Sequence, residues 1–322
     1  MQKIAVLRPL NLLIIIFTLL CLRFFLVEPM LTGVTNGLGV GIDPQLNYLQ
    51  LALLTASILF IAAGGYVAND MADVEIDQIN KPGKNMIGIL ISQKNALRLY
   101  YALTGLGILL SLALAVYIWN YNLAIVQTAI AVSLYFYAFY FKKTFFPGNF
   151  IVALAVAAVP FTYGVYEIIP LQEVYIFIQE DYPEFNFNFL AYWMLGFTAF
   201  AFVITLSREI TKDIQDLKGD SQFGSKSLPA VMGITFSRIV IVVLYLLSIW
   251  GLSYLYFNYL RDGATLVYFS ILGFLFFVLI IVTILAKTSR HFARVSDLNK
   301  LVSLLGVLYT AVVTYMMSNI ES

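Results

Sequence analysis

The sequence has little of the chemistry that soluble enzymes and disulfide-stabilised proteins use. It contains one cysteine (Cys21), one histidine (His291) and only 11% charged residues among 322. A single cysteine excludes an intrachain disulfide and a cysteine metal site. His291 lies in a basic segment and is interpreted as a solvated surface side chain. The formal net charge is +1, so bulk charge indicates no partner, and we expect no nucleic-acid partner.

Apolar residues are what the sequence has in excess. The chain is 61% hydrophobic with a mean hydropathy of +0.87, whereas soluble domains are about half apolar and about a quarter charged. The apolar residues form blocks of the roughly 20 residues that cross a bilayer core. This pattern predicts an all-α integral, multi-pass membrane protein with nine transmembrane helices, the first of them a retained helix and not a signal peptide. The predicted spans are 9–27, 47–68, 96–118, 121–141, 150–169, 189–206, 236–257, 264–286 and 299–317.

The basic residues predict the orientation of these spans. Seventeen of the nineteen Lys and Arg residues fall in the N-terminal tail or in the 2–3, 4–5, 6–7 and 8–9 connections and their flanks. Because basic residues concentrate on the cytoplasmic side, the N-terminus is expected in the cytoplasm and the C-terminus outside. The 5–6 connection carries no base, which fits the outer side; its acids are Glu167, Glu173, Glu180, Asp181 and Glu184.

Two segments predicted on the cytoplasmic side hold eight of the eighteen acids. They read "NDMADVEID" and "REITKDIQDLKGD", and each continues the end of an apolar span. Both contain D-x2-D-x3-D, whose offsets of three and seven return to one face of a helix. Asn69 and Glu209 extend these faces. The matched aspartates are Asp70, Asp73 and Asp77 in the first segment and Asp213, Asp216 and Asp220 in the second.

Carboxylates that share a face repel each other unless a cation binds them. Their oxygens suit Mg²⁺, which keeps waters and often shares its coordination shell with substrate phosphates. Two such faces opposite each other would hold Mg²⁺ ions around a diphosphate, and nearby Lys and Arg would neutralise the leaving group. For each segment taken alone, a solvated acidic helix end is the competing interpretation. Each basic residue taken alone is more simply an anchor on the cytoplasmic side.

The two acidic segments resemble the aspartate-rich motifs of the UbiA superfamily of intramembrane prenyltransferases. Further similarity lies in "LRPLN", which contains Arg8, in the segment from Tyr137 to Lys142, and in "PGNFIVALAVAAVPFTYG". The matches extend to about residue 229. The "VEIDQINKPGK" and "REITKDIQDLKGD" segments are most similar to the branch that prenylates geranylgeranylglyceryl phosphate. The sequence departs from this pattern at Asn85 (a proline position), Leu90 (an arginine position) and Ala138 (a serine position).

The resemblance implies one membrane-embedded prenyltransferase domain over residues 1–322, a bundle around a central cavity, with acidic motif loops at 69–95 and 207–233. It implies Mg²⁺ as cofactor, a prenyl diphosphate as donor, and an allylic cation that an acceptor attacks on the cytoplasmic side of a cytoplasmic or inner membrane. Membrane lipids would surround the chain. The implied metal ligands are Asn69, Asp70, Asp73, Asp77, Asp213, Asp216 and Asp220; the diphosphate ligands are Lys142, Arg208, Lys212, Lys81 and Arg8; the catalytic residues are Tyr137, Lys142 and Asn149.

The identity of the acceptor and a transporter function stay open from the sequence, whereas a third alternative lacks its motif. The acceptor is either a polar lipid such as geranylgeranylglyceryl phosphate or an aromatic compound of quinone or pigment biosynthesis. A CDP-alcohol phosphotransferase would need one compact D-G-x2-A-R…G-x3-D-x3-D motif, which the sequence lacks. A cation-binding transporter would place polar groups near the membrane midplane, whereas the charges here cluster at one predicted face.

Overall fold

The computed structural model describes residues 2–80, 82–83, 85–142, 144 and 147–320. In this part of the chain, nine helices are long and apolar enough to cross a membrane, and two short helices, Val74–Asn80 and Ile178–Asp181, lie in connections. The nine are α1 (Pro9–Leu38), α2 (Tyr48–Ala72), α3 (Gln93–Tyr117), α4 (Asn122–Phe141), α5 (Pro147–Val174), α6 (Asn188–Gln222), α7 (Leu228–Asn258), α8 (Gly263–Leu285) and α9 (Ser289–Asn319).

The predicted number of spans is confirmed, but several helices run beyond the apolar blocks. The sequence predicts a sixth span at 189–206, and α6 continues to Gln222; it predicts a ninth span from 299, and α9 begins at Ser289. Hydropathy marks only the part of a helix that lies in hydrocarbon, whereas the helical hydrogen bonding continues into polar sequence. The expected motif loop at 207–233 is therefore largely a helical extension of α6.

The short connection between the third and fourth spans is a real turn. Trp119 has a left-handed backbone, with φ of 59°, and its amide donates to the carbonyl of Val116 at 3.1 Å. A left-handed residue ends a helix because it turns the chain out of the helical path. Two antiparallel spans therefore fit where the sequence offers only a few polar residues.

Consecutive helices pack side by side, and α9 packs against both α1 and α6. The most extensive contact joins α2 and α3, where small residues let the backbones approach. A Cβ at Gly107 would lie 3.0 Å from the backbone nitrogen of Ile61 and from the carbonyl oxygen of Ser57. The Ser57 hydroxyl donates to the Gly107 carbonyl at 2.6 Å. Small residues with interhelical hydrogen bonds hold membrane helices together where hydrophobic burial cannot.

From the sequence, Glu167 and Glu173 are assigned to the outer connection between the fifth and sixth spans, and this assignment is wrong. Both lie inside α5, and the Glu167 side chain is wholly buried. Its carboxylate accepts hydrogen bonds from the backbone amides of Gln45 and Leu46 and lies 3.8 Å from the guanidinium of Arg23 on α1. A buried carboxylate needs such partners, so Glu167 ties α1 and α5 to the connection before α2.

Candidate active site

The first acidic segment starts on the end of α2 and then changes direction. α2 ends at Ala72, and a separate helix follows over Val74–Asn80. The Asn85 amide donates to the Asp70 carbonyl at 2.8 Å and to the Asp77 carboxylate at 3.0 Å. In an unbroken helix the Asp70 carbonyl would accept from the amide of residue 74. The spacing predicts that the three aspartates share one continuous helical face, and this prediction is wrong. The helix is interrupted between them, and Asn85 stabilises the interruption.

Arg8 pairs with the first aspartate of this segment. Its guanidinium lies 2.6 Å from the Asp70 carboxylate and 5.0 Å from the ring centre of Tyr66. Burial lowers the pKa of the guanidinium, but Asp70, together with Tyr66 and Glu209, more than offsets this, so the pKa lies above its ordinary value. Arg8 itself has φ of 50°, a strained conformation for a non-glycine residue directly before a proline. Strain of this kind concentrates at functional sites.

Lys142 pairs with the next aspartate. Its ammonium lies 2.6 Å from the Asp73 carboxylate and donates to the backbone and side-chain oxygens of Asn69 at 2.8 and 2.7 Å. The Tyr137 hydroxyl donates to the same Asn69 side chain at 3.3 Å. Burial lowers the pKa of Lys142 below its ordinary value, and Asp73 offsets only part of this effect. A π-helical turn over Tyr137–Phe141 ends α4 directly before Lys142.

The second acidic segment forms the extended end of α6. The Glu209 carboxylate accepts from Lys212 at 2.9 Å and from Arg208 at 3.1 Å. Asp213 accepts from the Asn149 amide at 2.6 Å, which joins the start of α5 to this face. Asp216 and Asp220 follow on the same helix. Asn149 is therefore placed as a partner of an aspartate, whereas Tyr137 faces the cavity.

The two acidic segments meet directly. The Asn80 amide donates to the Asp220 carboxylate at 3.3 Å, and its carbonyl oxygen accepts from the Gly219 backbone amide at 2.8 Å. Glycine permits this contact, because a Cβ at position 219 would overlap the Asn80 side chain and displace it. Both aspartate-rich segments and the cations Arg8, Lys142 and Lys212 thus lie at one end of the bundle.

A cavity of about 220 Å³ opens below this charged end, between α1, α2, α4, α5, α6 and α9. Its walls are mostly apolar, and its charged end is formed by side chains from five segments of the chain. The predicted bundle around a central cavity is confirmed. The apolar walls include Ile14, Ile58, Ile61, Ile130, Leu134, Val152, Val156 and Val159, and the charged end includes Arg8, Asn69, Tyr137, Arg208, Glu209, Lys212 and Lys300.

The oxygen-rich donors at this end fit Mg²⁺ in their chemistry. Aspartate carboxylates and asparagine amides supply hard oxygen ligands. Within the described residues, no three His, Cys, Asp or Glu side chains already converge on one metal position; Asp70 and Asp73 are paired with Arg8 and Lys142 instead. Mg²⁺ commonly uses one or two carboxylates together with substrate phosphates, and such a metal suits aspartates distributed over two facing segments.

The structure places most of the predicted site residues together and adds several that the sequence did not suggest. Lys81 lies outside the described residues, so its predicted role stays a prediction. Lys300, assigned from sequence only to a positively charged flank, lines the cavity from α9. Tyr66 also lines the cavity, about one turn before Asn69 on α2, and Asn11 of the LRPLN segment lines it as well.

This combination defines a class of protein: a helical membrane protein whose apolar cavity ends in a cap of paired acids and bases. The UbiA prenyltransferase family model matches residues 26–304. The digeranylgeranylglyceryl phosphate synthase of Saccharolobus solfataricus is 35% identical over 80% of this chain and 86% of its own length. That of Sulfurisphaera tokodaii is 32% identical over 79% of this chain and 83% of its own length.

Solved structures agree with this fold. A digeranylgeranylglyceryl phosphate synthase has a TM-score of 0.60 at 24% identity, covering 94% of this chain and 99% of its own. A UbiA homolog from Archaeoglobus fulgidus bound to GPP and Mg²⁺ has a TM-score of 0.57 at 14% identity, covering 97% and 100%. The chain belongs to the UbiA prenyltransferase family and is a multi-pass membrane prenyltransferase.

Proposed function

We propose that the protein transfers a geranylgeranyl group from its diphosphate to geranylgeranylglyceryl phosphate or a similar polar lipid, with Mg²⁺ as cofactor. The observation that carries the proposal is the junction of an apolar cavity with a cap of aspartates, Lys and Arg. A prenyl diphosphate has the same division, with a hydrocarbon tail and an anionic head. The relatives named as digeranylgeranylglyceryl phosphate synthases support the choice of acceptor.

The charged end would act on the leaving group. The diphosphate would lie among Arg8, Lys142 and Lys212, with Arg208 behind them, and Asp70, Asp73, Asp77, Asp213, Asp216 and Asp220 would hold the metal. Bound Mg²⁺ would neutralise charge that grows on the diphosphate oxygens. Lys142 and Arg8 would add fixed positive charge at the same place, where cations stabilise a developing anion most effectively because water is excluded.

Substitution at the prenyl carbon requires two bond changes. The carbon–oxygen bond to the diphosphate breaks, and both electrons leave with the diphosphate. The acceptor hydroxyl oxygen forms the new bond to that carbon, and its proton would pass to an oxygen of the departing diphosphate. The Tyr137 ring faces the cavity beside Asn69, where an aromatic face would stabilise the allylic cation. Asn149 would act indirectly, by orienting Asp213.

We place this charged end on the cytoplasmic side of the membrane. The support is the distribution of Lys and Arg over alternate connections. A cysteine introduced at the exposed residue Glu75 tests it, because the native Cys21 is buried. Labelling of Glu75→Cys by an impermeant maleimide only after the cells are opened is expected. Labelling in intact cells would contradict the orientation.

The reaction itself is tested with the purified protein in detergent. Geranylgeranyl diphosphate and Mg²⁺ are supplied with geranylgeranylglyceryl phosphate or, in a parallel series, with hydroxybenzoate-type aromatic acceptors. Mass spectrometry should detect digeranylgeranylglyceryl phosphate and no prenylated aromatic product. Prenylation of only the aromatic acceptor would overturn the choice of acceptor, and consumption of no prenyl diphosphate with either would overturn the reaction.

A further inference from the structure

One lysine in the cavity wall has no acidic partner. Lys300 of α9 is half-buried and lines the cavity. Arg8 and Lys142 are paired with aspartates of the first acidic segment, and Lys212 is paired with Glu209. Within the part of the chain that the structure describes, Lys300 has neither an ion pair nor a side-chain hydrogen bond. A charged side chain inside a membrane bundle is costly and commonly marks a substrate path, so its place in this wall points to an anionic ligand.

The turn of α9 that carries Lys300 is held against α7. The amide of Asn299, which is fully buried, donates to the Tyr245 hydroxyl of α7 at 2.7 Å. Lys300 and Ser303 both line the cavity, because residues three apart share one side of a helix. The Ser303 hydroxyl is a second donor on this wall. An oxygen-rich ligand would therefore meet an ammonium and a hydroxyl one turn apart on α9.

The cavity wall formed by α6 and α9 carries an excess of positive charge. Three cations line it, Arg208, Lys212 and Lys300, against one carboxylate, that of Glu209. The groups whose charges act most strongly on Lys300 are Arg208 and Asp297, and neither belongs to the aspartate sets that would hold Mg²⁺ and the diphosphate. Such a wall suits a second anion. A phosphate monoester carries about −1.5 to −2 charges near pH 7, which matches this excess.

We propose that Lys300 binds the phosphate of the acceptor lipid, with Ser303 on α9 and Arg208 on α6 as further donors. The inference rests on the proposed function and assigns the acceptor its own anion site, separate from the aspartates. A glycerol that carries a phosphate and one prenyl ether has a single free hydroxyl, at most two carbons from the one that bears the phosphate. Binding the phosphate at Lys300 therefore orients the nucleophile, and an acceptor without a phosphate gains nothing from this contact.

The test compares Lys300→Met with the parent for geranylgeranylglyceryl phosphate and for geranylgeranylglycerol, which lacks the phosphate. We expect the KM of the phosphorylated acceptor to rise about ten-fold, while the KM of geranylgeranyl diphosphate stays within about two-fold of the parent. The KM of geranylgeranylglycerol should not rise, and Lys300→Arg should keep most of the affinity for the phosphate. Lys287→Met is the matched control, because Lys287 is exposed just before α9 and lies outside the cavity lining.

Three results would overturn the inference: an unchanged acceptor KM in folded Lys300→Met, an equal rise in the KM of geranylgeranyl diphosphate, or an equal rise with geranylgeranylglycerol. The second would assign Lys300 to the donor diphosphate. Isothermal calorimetry of the two lipids with folded protein in detergent needs no transfer. Tighter binding of the phosphorylated lipid that Lys300→Met abolishes would support the site even without transfer. Transfer with a phosphate preference that Lys300→Met retains would support the proposed function and refute the site, so the two failures are distinguishable.

Discussion

Lys142→Met removes the cation that makes three contacts with Asn69 and Asp73 of the first acidic segment. The ammonium has three oxygen partners: the Asp73 carboxylate at 2.6 Å and two oxygens of Asn69 at 2.8 and 2.7 Å. Its side chain is 15% exposed, so water screens these contacts only weakly. Methionine keeps most of the length and the apolar stem but cannot neutralise a diphosphate.

The magnitude follows from the role of this charge. Removing one preorganised electrostatic donor from a transition state lowers kcat by about 10²–10³, or roughly 2.7–4 kcal/mol. When the substrate binds, the Lys142 ammonium must leave the Asp73 carboxylate to contact the diphosphate. The loss of that ion pair offsets part of the stabilisation that the diphosphate contact provides. We therefore expect a loss of kcat/KM near the lower limit, about 100-fold, with most of it in kcat because the charge on the diphosphate grows during bond breaking.

The assay measures initial rates of transfer with purified Lys142→Met at saturating Mg²⁺. Lys218→Met is the matched control, because Lys218 is an exposed lysine on the extended end of α6; its rate should stay within about two-fold of the parent. Size-exclusion chromatography and thermal melting establish that each variant is folded. A folded Lys142→Met protein with more than a third of parental kcat/KM would refute the role of this ammonium.

Three further predictions concern the metal site and the packing. Asp73→Ala or Asp216→Ala should abolish transfer, and EDTA should abolish parental activity until Mg²⁺ is restored; activity of either variant at the parental level, or activity that survives EDTA, contradicts the metal assignment. Asn85→Ala should raise the Mg²⁺ concentration needed for half-maximal rate about ten-fold, because it frees the Asp77 carboxylate from an orienting bond; an unchanged Mg²⁺ titration contradicts this. Gly107→Val should destabilise the fold by about 1–3 kcal/mol, measured as a lower melting temperature, whereas Gly105→Ala on the same helix, which meets no atom within 4 Å, should not; equal melting temperatures for the two variants would refute the packing argument.

The spans and the acidic segments are local properties, and the sequence predicts them for that reason. Nine apolar blocks predict nine helices because each helix satisfies its own backbone in hydrocarbon. The D-x2-D-x3-D spacing identifies two segments, and the structure joins them through Asn80 and Asp220. The helix ends are less well predicted, because the backbone hydrogen bonds of α6 continue from its apolar part into its polar extension.

The partners of the charges depend on segments far apart in the chain. Arg8 and Asp70 are 62 residues apart, and Asn149 and Asp213 are 64 apart. Spacing within either segment cannot show that Asn85 interrupts the first acidic face, or that Lys300 of α9 reaches the cavity.

The sequence by itself determined the membrane class, the number of helices and the two acidic segments, because hydrophobic length and helical periodicity act within a single segment. Only the tertiary structure decided which cations meet which aspartates and which helices enclose the cavity. Those features arise where α1, α2, α4, α5, α6 and α9 converge, and the close approach of these helices depends on side chains that are distant in sequence.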